Sequence, residues 1–507
     1  MMRLRCTVPL PKKLLNIGAC PTNKEFISTA AKLLKNDEFE TDPHNPLRRS
    51  LNIITRDFKP IKDYFKTIPK STDEVPDKNL KKRIDPTESE FQTHCDVVII
   101  GGGCIGLSIA FWLKEKARSG LNVVVIEKDP TYRKSSAARS YNGLNFNFLV
   151  PENLQMAMYG ADFLRDIKHH LGSVNLNFTP FGSIRLASEK NVEVLKSIFK
   201  IQNELGVRSE LLTVEKIKSK FPWINTDDIV LGCHGLESEG WFDPLALLFA
   251  YKKKAAEYEA HFVDGELIDF EFQSQSNILV DGEEGETYKA LDKAIVQMPN
   301  GEKRTIKFAL CVIAGGSCSG QIARLARIGN APGFLSIPLP LEQREIQKYL
   351  FNSPGQEVPA FTTPLTLDPN GCYFTREGLS GNYLCGKNTD TPTEQTNKTL
   401  QETFDAEILP SLTQRVRSFK NAQIKESWTE TYAYNYFDGN GIIGAHPYYN
   451  NLYIAAGFNR HGIQQSPAVG RALSELIIDG RYRTIDLARL SFDRFIVNQP
   501  LYEVSTI

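Results

Sequence analysis

Val97-Val98-Ile99-Ile100-Gly101-Gly102-Gly103-Cys104-Ile105-Gly106 is the stretch that decides how this chain folds. Four consecutive β-branched residues after Asp96 predict a buried strand over 96–100, and the glycines end it in a tight turn. Residues Gly106 to Ala117 predict a helix and Asn122 to Glu127 a second buried strand, which makes one βαβ unit. The glycines stand at the G-x-G-x-x-G spacing, and each has a separate task. Gly101 permits the turn, Gly103 lets backbone amides approach a pyrophosphate, and Gly106 lets the helix lie close on the sheet. Partly positive amides at the helix start then face the phosphates. Glu127 ends the second strand 21 residues after Gly106, where a carboxylate accepts hydrogen bonds from the adenosine ribose hydroxyls. Strand, turn, helix, strand and terminal acid together point to a dinucleotide site.

These glycines suit FAD and NAD alike. A nicotinamide dehydrogenase completes its sheet with further βα units at once, whereas a long segment of different texture follows here, which favours FAD. Glu127 also disfavours NADP, because it repels a 2′-phosphate.

The chain has 507 residues and is 41% hydrophobic, enough for a sizeable core and more than one lobe. Its 60 basic and 60 acidic side chains cancel, so no global field steers it to nucleic acid, and no nucleic-acid partner is expected. Nine cysteines without a CxxC pair suit a reducing compartment rather than a disulfide framework. His94 with Cys95, and Cys233 with His234, lack the paired spacing of a metal site, so no metal is expected. The apolar run from Cys95 to Leu113 is interrupted by three glycines and contains Asp96, so it reads as strand, turn and helix rather than a membrane span. No integral membrane segment is expected.

Residues 1–24 hold Arg3, Arg5, Lys12, Lys13 and Lys24, no acid, and interleaved leucines, the composition of a mitochondrial transit peptide. Residues 25–90 read as a charged linker or loosely ordered arm. Beyond Phe91 strands alternate with helices. Amphipathic helices are expected around Glu152 to His170 and Lys190 to Leu205, with alternating strands near Phe178 to Ala187. Strands are expected over His261 to Phe270 and Phe308 to Ala314, an antiparallel sheet between Arg344 and Arg376, and a helix from Asn397 to Leu412. Leu452 to Ala456 reads as a strand, followed by a turn at Gly457 and a helix through Ala468 to Ile478. Gly381 to Lys387 imitates a P-loop, but Asn388 stands where magnesium needs Ser or Thr. Gly316-Ser317-Cys318-Ser319-Gly320 imitates a nucleophile elbow with no visible base, so Cys318 reads as a small residue packed behind a turn.

The N-terminal turn, Ala314-Gly315-Gly316 and Gly457-Phe458-Asn459-Arg460-His461-Gly462, in this order, resemble the D-amino acid oxidase family of flavoproteins. That family includes enzymes oxidising glycine, sarcosine and dimethylglycine. Phe221-Pro222-Trp223-Ile224-Asn225-Thr226, Glu239-Gly240-Trp241-Phe242-Asp243-Pro244, Phe437-Asp438-Gly439-Asn440-Gly441 and His461-Gly462-Ile463-Gln464-Gln465 are similar to a mitochondrial branch associated with respiratory complex I assembly. The resemblance spans about residues 91–507.

It implies an α/β fold with a discontinuous Rossmann-like FAD-binding lobe, about 91–150, 228–330 and 428–507. A second α+β substrate lobe built on an antiparallel sheet takes about 151–227 and 331–427. It further implies that Gly101, Gly103, Gly106 and Glu127 hold the ADP half, and that Ser135 and Ser136 lie beside the pyrophosphate. Leu267 approaches the adenine, Gly315 and Gly316 bring backbone close, and Gly457, Gly462, Ile463 and Gln464 border the flavin. The implied reaction is hydride transfer from the carbon beside an amine, in which positioning carries most of the catalysis.

The chain departs from the family at several places. Where relatives carry a substrate-carboxylate arginine after the strand Ser427-Trp428-Thr429-Glu430-Thr431-Tyr432, it has Thr429 and Glu430. Arg376 and Arg460 are the candidate replacements, with His461 the polar side chain expected nearest the flavin or else a loop-holding histidine. Thr431 stands where some relatives attach FAD through cysteine, so FAD is expected to be non-covalent. Gln464 replaces a lysine of sarcosine oxidases. Two functions stay open: an FAD-dependent oxidoreductase acting on an amine or N-methyl amino acid, and an FAD-stabilised scaffold holding complex I subunits or assembly intermediates. Either would reside in the mitochondrial matrix or peripherally on the matrix face of the inner membrane.

Overall fold

Strand His94–Ile100 forms where its β-branched run requires, with Val97, Val98, Ile99 and Ile100 all buried. It is the middle of a first sheet whose order is Ile442–Ala445, Leu452–Ala456, Lys303–Ile313, His94–Ile100, Val123–Glu127 and His261–Asp264. Neighbours from Leu452–Ala456 through His261–Asp264 run parallel, and Ile442–Ala445 closes one edge antiparallel. The computed structural model describes residues 91–140, 143–279, 287–354, 358–377, 381–388 and 399–503. The expected transit segment 1–24 and arm 25–90 lie outside these residues.

Lys303–Ile313 serves two partners. Its last residues pair parallel with His94–Ile100, while its first pair antiparallel with Thr287–Gln297, itself antiparallel to Glu266–Leu279. The expected strand over 308–314 is therefore longer, and the one over 261–270 is broken at Gly265. There a Cβ would lie 2.5 Å from Val296 Cγ1, so the backbone crosses too close for a side chain.

Helix Cys104–Ala117 packs on this sheet, and helix Gly462–Asp479 packs on that helix in turn. A Cβ on Gly470 would come within 2.8 Å of Ser108 backbone, and one on Gly160, in helix Pro151–Arg165, within 2.1 Å of the Gln464 carbonyl oxygen. Small residues thus let three helices cross tightly. Pro467 deprives the Ile463 carbonyl of its helical donor. The Ser466 hydroxyl donates to that carbonyl at 2.8 Å and replaces it. Helix Pro244–Glu257 covers the same layer and was not anticipated, although Asp243-Pro244 signals it. The Asp243 carboxylate accepts from the Leu245 and Ala246 amides, with Pro244 in the first turn.

The second sheet has order Gln423–Asn435, Leu341–Asn352, Asn382–Lys387, Cys372–Glu377, Leu365–Leu367, Ser183–Ala187, Leu231–Gly235, Ser209–Leu212. All neighbours are antiparallel except Leu365–Leu367 with Ser183–Ala187. Its outer face carries Tyr349, Phe351, Phe374, Tyr383 and Cys385, packed under the helical segment Leu400–Arg415 with its π-turn at Phe404–Ile408. Its inner face carries Ile346, Leu365, Leu367, Tyr373 and Tyr432. The boundaries expected at 228 and 428 need correction, because Leu231–Gly235 pairs with Ser183–Ala187 and all of Gln423–Asn435 with Leu341–Asn352. Alternation shows that a segment is a strand, not which sheet receives it. The P-loop imitation is strand Asn382–Lys387, its backbone committed to the sheet. No helix among the described residues is long and apolar enough to cross a membrane.

Candidate active site

The glycine turn meets its steric demands. Gly101 has φ +109°, and a Cβ there would lie 2.4 Å from the Ala314 carbonyl oxygen. A Cβ on Gly106 would lie 1.9 Å from the Gly101 carbonyl oxygen, whereas one on Gly103 meets nothing within 4 Å. Gly101 and Gly106 are thus glycine for packing and Gly103 for open space in front of the helix. Glu127 binds the turn itself: Oε2 accepts from the Gly102 amide at 2.7 Å and Oε1 from the Asp129 amide at 2.9 Å. One lone pair on each oxygen remains for a ribose hydroxyl.

One cleft brings together Gly101, Gly103, Glu127, Ser135, Ser136, Gly315, Gly316, Gly457, Gly462 and Ile463 from the predicted set. Leu267 lines a depression on the far side of the strand ends, which shares Gly101, Glu127 and Gly315 with the cleft. Ser135 has a structural duty, since its hydroxyl donates to the Tyr132 carbonyl at 2.7 Å and caps Ala138 at 3.2 Å. Cys318 faces the cleft rather than packing behind it, with its Sγ 3.3 Å from Lys128 Nζ.

The far wall is strand Gln423–Asn435, through Glu430, Thr431, Tyr432 and Ala433. Segment 135–140 ties the two walls. Trp428 Nε1 donates to the Arg139 carbonyl at 2.7 Å, and Arg139 Nη1 donates to the Thr429 carbonyl at 2.9 Å. Lys348 pairs with Glu430, both nearly inaccessible, and its Nζ lies 3.3 Å from the Ser140 hydroxyl.

Of the polar candidates, Arg460 lines the cleft with its guanidinium 5.7 Å from the centre of the Tyr432 ring. One expectation, Arg376 as a substrate arginine, needs correction. Arg376 points to the outer face, opposite Tyr383, and donates to the Pro359 carbonyl at 2.8 Å. It is an odd number of residues from the inward Tyr373, and strand alternation sends it away from the cleft. His461 and Gln464 are not part of the cleft wall. Gln464 is buried, points back along the helix, takes the Asn145 amide on Oε1 at 3.1 Å, and places Nε2 3.2 Å from His461 Nδ1. The His461 ring stands edge-on to Phe148 at 4.8 Å. The Gln464 amide nitrogen can only donate, so His461 Nδ1 is the acceptor in this contact. The loop-holding reading of His461 fits this geometry.

The loop Gly457 to Gly462 is held by a polar knot built on Phe437-Asp438-Gly439-Asn440-Gly441. Asp438 is buried against Arg494 at 2.8 Å, and Asn435 Nδ2 donates to Asp438 Oδ1 at 2.9 Å. Asn459, with φ +50°, accepts the Asn435 amide at 3.1 Å and donates to the Gly439 carbonyl at 2.7 Å. Its side chain pins the turn where Gly457, at φ +75°, leaves no room for a Cβ beside Leu341 Cδ2 at 2.7 Å. Asn459, Tyr432, Tyr373, Lys348 and Glu430 are site or support residues missed in the sequence. A left-handed Asn has a local signal, but the others converge only through strand pairing.

The residues present fit FAD: a glycine cradle open at Gly103, a ribose carboxylate at Glu127, and a second glycine turn at Gly457 facing the inner sheet. Comparison with known proteins agrees. The family model DAO, FAD dependent oxidoreductase, matches residues 96–476. The chain is 49% identical over 487 residues to the FAD-dependent oxidoreductase domain-containing protein 1 homolog of Drosophila melanogaster, covering 93% of this chain and 94% of that protein. It is 27% identical to the mitochondrial dimethylglycine dehydrogenase of Rattus norvegicus over 81% of this chain and 46% of that protein. Among solved structures, L-proline dehydrogenase from P. horikoshii shares the fold with TM-score 0.66 and 24% identity, covering 81% of this chain and 100% of that one. Fold, cleft and family match converge: the chain belongs to the DAO family of FAD-dependent oxidoreductases.

Proposed function

We propose that this oxidoreductase acts on an amine or N-methyl amino acid held between the cleft and the inner face of the second sheet. The observation that carries the reading is Arg460, a cation on the same wall as the Gly457 turn and in contact range of the Tyr432 ring. Bound FAD supplies the acceptor for a hydride from the carbon beside the amine. The chain's own residues do the positioning: Arg460 attracts a carboxylate, while Ile346, Leu367, Tyr373 and Tyr432 form an apolar floor that disfavours a protonated amine. The FAD is non-covalent in this reading, with Thr431 at the place of attachment in some relatives. The basic, acid-free residues 1–24 support import into mitochondria, as does the mitochondrial designation of the similar dimethylglycine dehydrogenase. Anaerobic titration of the purified protein with a panel of N-methyl amino acids tests the proposal. At least one is expected to bleach the visible flavin absorbance, and a flavin that none of them reduces sinks it.

A second reading has its own support. Glu430, which lines the cleft and is paired to Lys348, stands where the resemblance implies an arginine for substrate. In that reading FAD stabilises a scaffold that works in complex I assembly on the matrix face of the inner membrane. A tagged chain should then recover assembly intermediates equally well when Arg460→Met abolishes flavin reduction.

A further inference from the structure

We infer that Arg185 anchors a second anionic group of the ligand across the inner face from Arg460, so that the cleft suits an amine bearing two carboxylates. The amine part rests on the oxidation proposed above; the anion site stands on its own geometry.

Strand pairing places Arg185. Cys233, Arg185, Leu367, Tyr373, Gly386 and Lys348 are successive cross-strand partners and form one row across the sheet. Directly paired residues point to the same face. Leu367 and Tyr373 belong to the inner apolar cluster with Ile346 and Tyr432, so Arg185 shares the face that closes the cleft. Two strand spacings, about 10 Å, separate Arg185 from Tyr373 along the row.

The guanidinium is poorly served by the protein. Its Nη1 is buried with no hydrogen-bond partner among the described residues, while the residue as a whole stays partly accessible. Burial lowers its pKa to about 10, which leaves it charged at neutral pH. Its acidic neighbours are Cys233 and Glu503, with Glu239 close by in the fold. The Cys233 thiol is pushed up to about 12 by burial and is uncharged. Glu239 is pushed up to about 7 by burial and is engaged by the Ser183 hydroxyl and the Phe146 amide. Glu503 is close enough to favour the charged arginine, but its oxygens accept from the Leu149 and Val150 amides and from Asn153 Nδ2.

Carboxylate is the group that fits. It matches the planar fork of arginine with two parallel hydrogen bonds. Lys348, the other cation in the row, is taken by Glu430. Leu367 and Tyr373 follow Arg185 along the row and Arg460 acts electrostatically on Tyr373, so the stretch separating the two cations is apolar and suits a short methylene spacer.

Glutarate and its monoamide, glutaramate, are probes that differ in one charge. The FAD-loaded chain is titrated with each, with the flavin spectrum and the melting temperature as readouts. Glutarate should bind about tenfold or more tighter than glutaramate. The ratio should fall to about one in Arg185→Met and be partly kept in Arg185→Lys. Equal binding by the parent chain, or a preference that survives Arg185→Met, overturns the inference. The parent measurement decides the matter even if the methionine variant does not fold. A chain that prefers glutarate through Arg185 while no amine reduces its flavin keeps this site and loses the oxidation reading. Flavin reduction without any acid preference does the reverse.

Discussion

On the wall formed by the first sheet, backbone faces the cleft, at Gly101, Gly103, Gly315 and Gly457. On the wall formed by the second sheet, side chains do: Glu430, Tyr432 and, on the same face, Tyr373 and Arg185. A backbone wall is tuned by leaving side chains out, and its partners are mostly near in sequence. A side-chain wall must be assembled from strands that meet only in the folded sheet. Arg185 and Lys348, in one row, are 163 residues apart in the chain. The first wall suits an invariant ligand such as a cofactor, and the second a ligand whose identity varies by substitution.

The largest expected effect breaks the backbone wall. Gly106→Ala drives a Cβ against the Gly101 carbonyl oxygen, so the turn has to open, and the purified chain should lose its flavin absorbance with FAD affinity down by about 100-fold or more. Gly103→Ala separates packing from binding. Its Cβ meets no protein atom, so the melting temperature of the FAD-free chain should hold while FAD affinity falls. Equal loss of folding in both variants contradicts the division of labour among the glycines.

Next comes the buried ion pair of the second wall. Lys348→Met leaves Glu430 charged and buried, which should cost about 3–5 kcal/mol in urea denaturation. Lys348→Met combined with Glu430→Leu should recover most of that, because the stranded charge is gone. A double variant as unstable as the single one would show that the pair's geometry, not its charge, supports the wall.

Titration adds a test beside the second sheet, where buried Glu239 accepts from the Ser183 hydroxyl. Glu239 holds its proton to about pH 7 in the folded chain, against an ordinary value of 4.5, because burial disfavours the carboxylate. Unfolding releases that proton between these limits. The stability it contributes is full below about pH 4.5 and is lost as pH rises through about 7, a swing of about 3 kcal/mol. Glu239→Gln should flatten the melting temperature over that window; an unchanged pH slope assigns the dependence to another group.

The smallest effect is expected at Arg376. Arg376→Gln removes a bond to the Pro359 carbonyl on the outer face and should cost about 1 kcal/mol while leaving flavin reduction unaltered. A changed reduction rate would return Arg376 to the cleft.

The dinucleotide half was legible because its cause is local. A β-branched run, three glycines and an acid at the end of the next strand state a βαβ turn within about thirty residues. The second half was legible as alternation but not as a site. In strand Cys372–Glu377 the sequence favours Arg376 as the chemical residue, whereas pleating turns Tyr373 inward and Arg376 outward. His461 next to glycine at a helix start looks like a cofactor contact, yet Gln464 and Phe148 claim its ring. Helix Pro244–Glu257 was readable from its Asp-Pro cap and was overlooked for lack of a strong apolar stripe.

Sequence alone therefore determined the glycine cradle, the ribose carboxylate and the second glycine turn, because steric exclusion and the direction of backbone amides depend on neighbours within a few residues. Tertiary structure decided which face each strand side chain takes, that Lys348 answers Glu430, and that Arg185 stands on the cleft face with its Nη1 unbonded. Those outcomes depend on cross-strand register, which is set by burying one face of the whole sheet and is not written in any single strand.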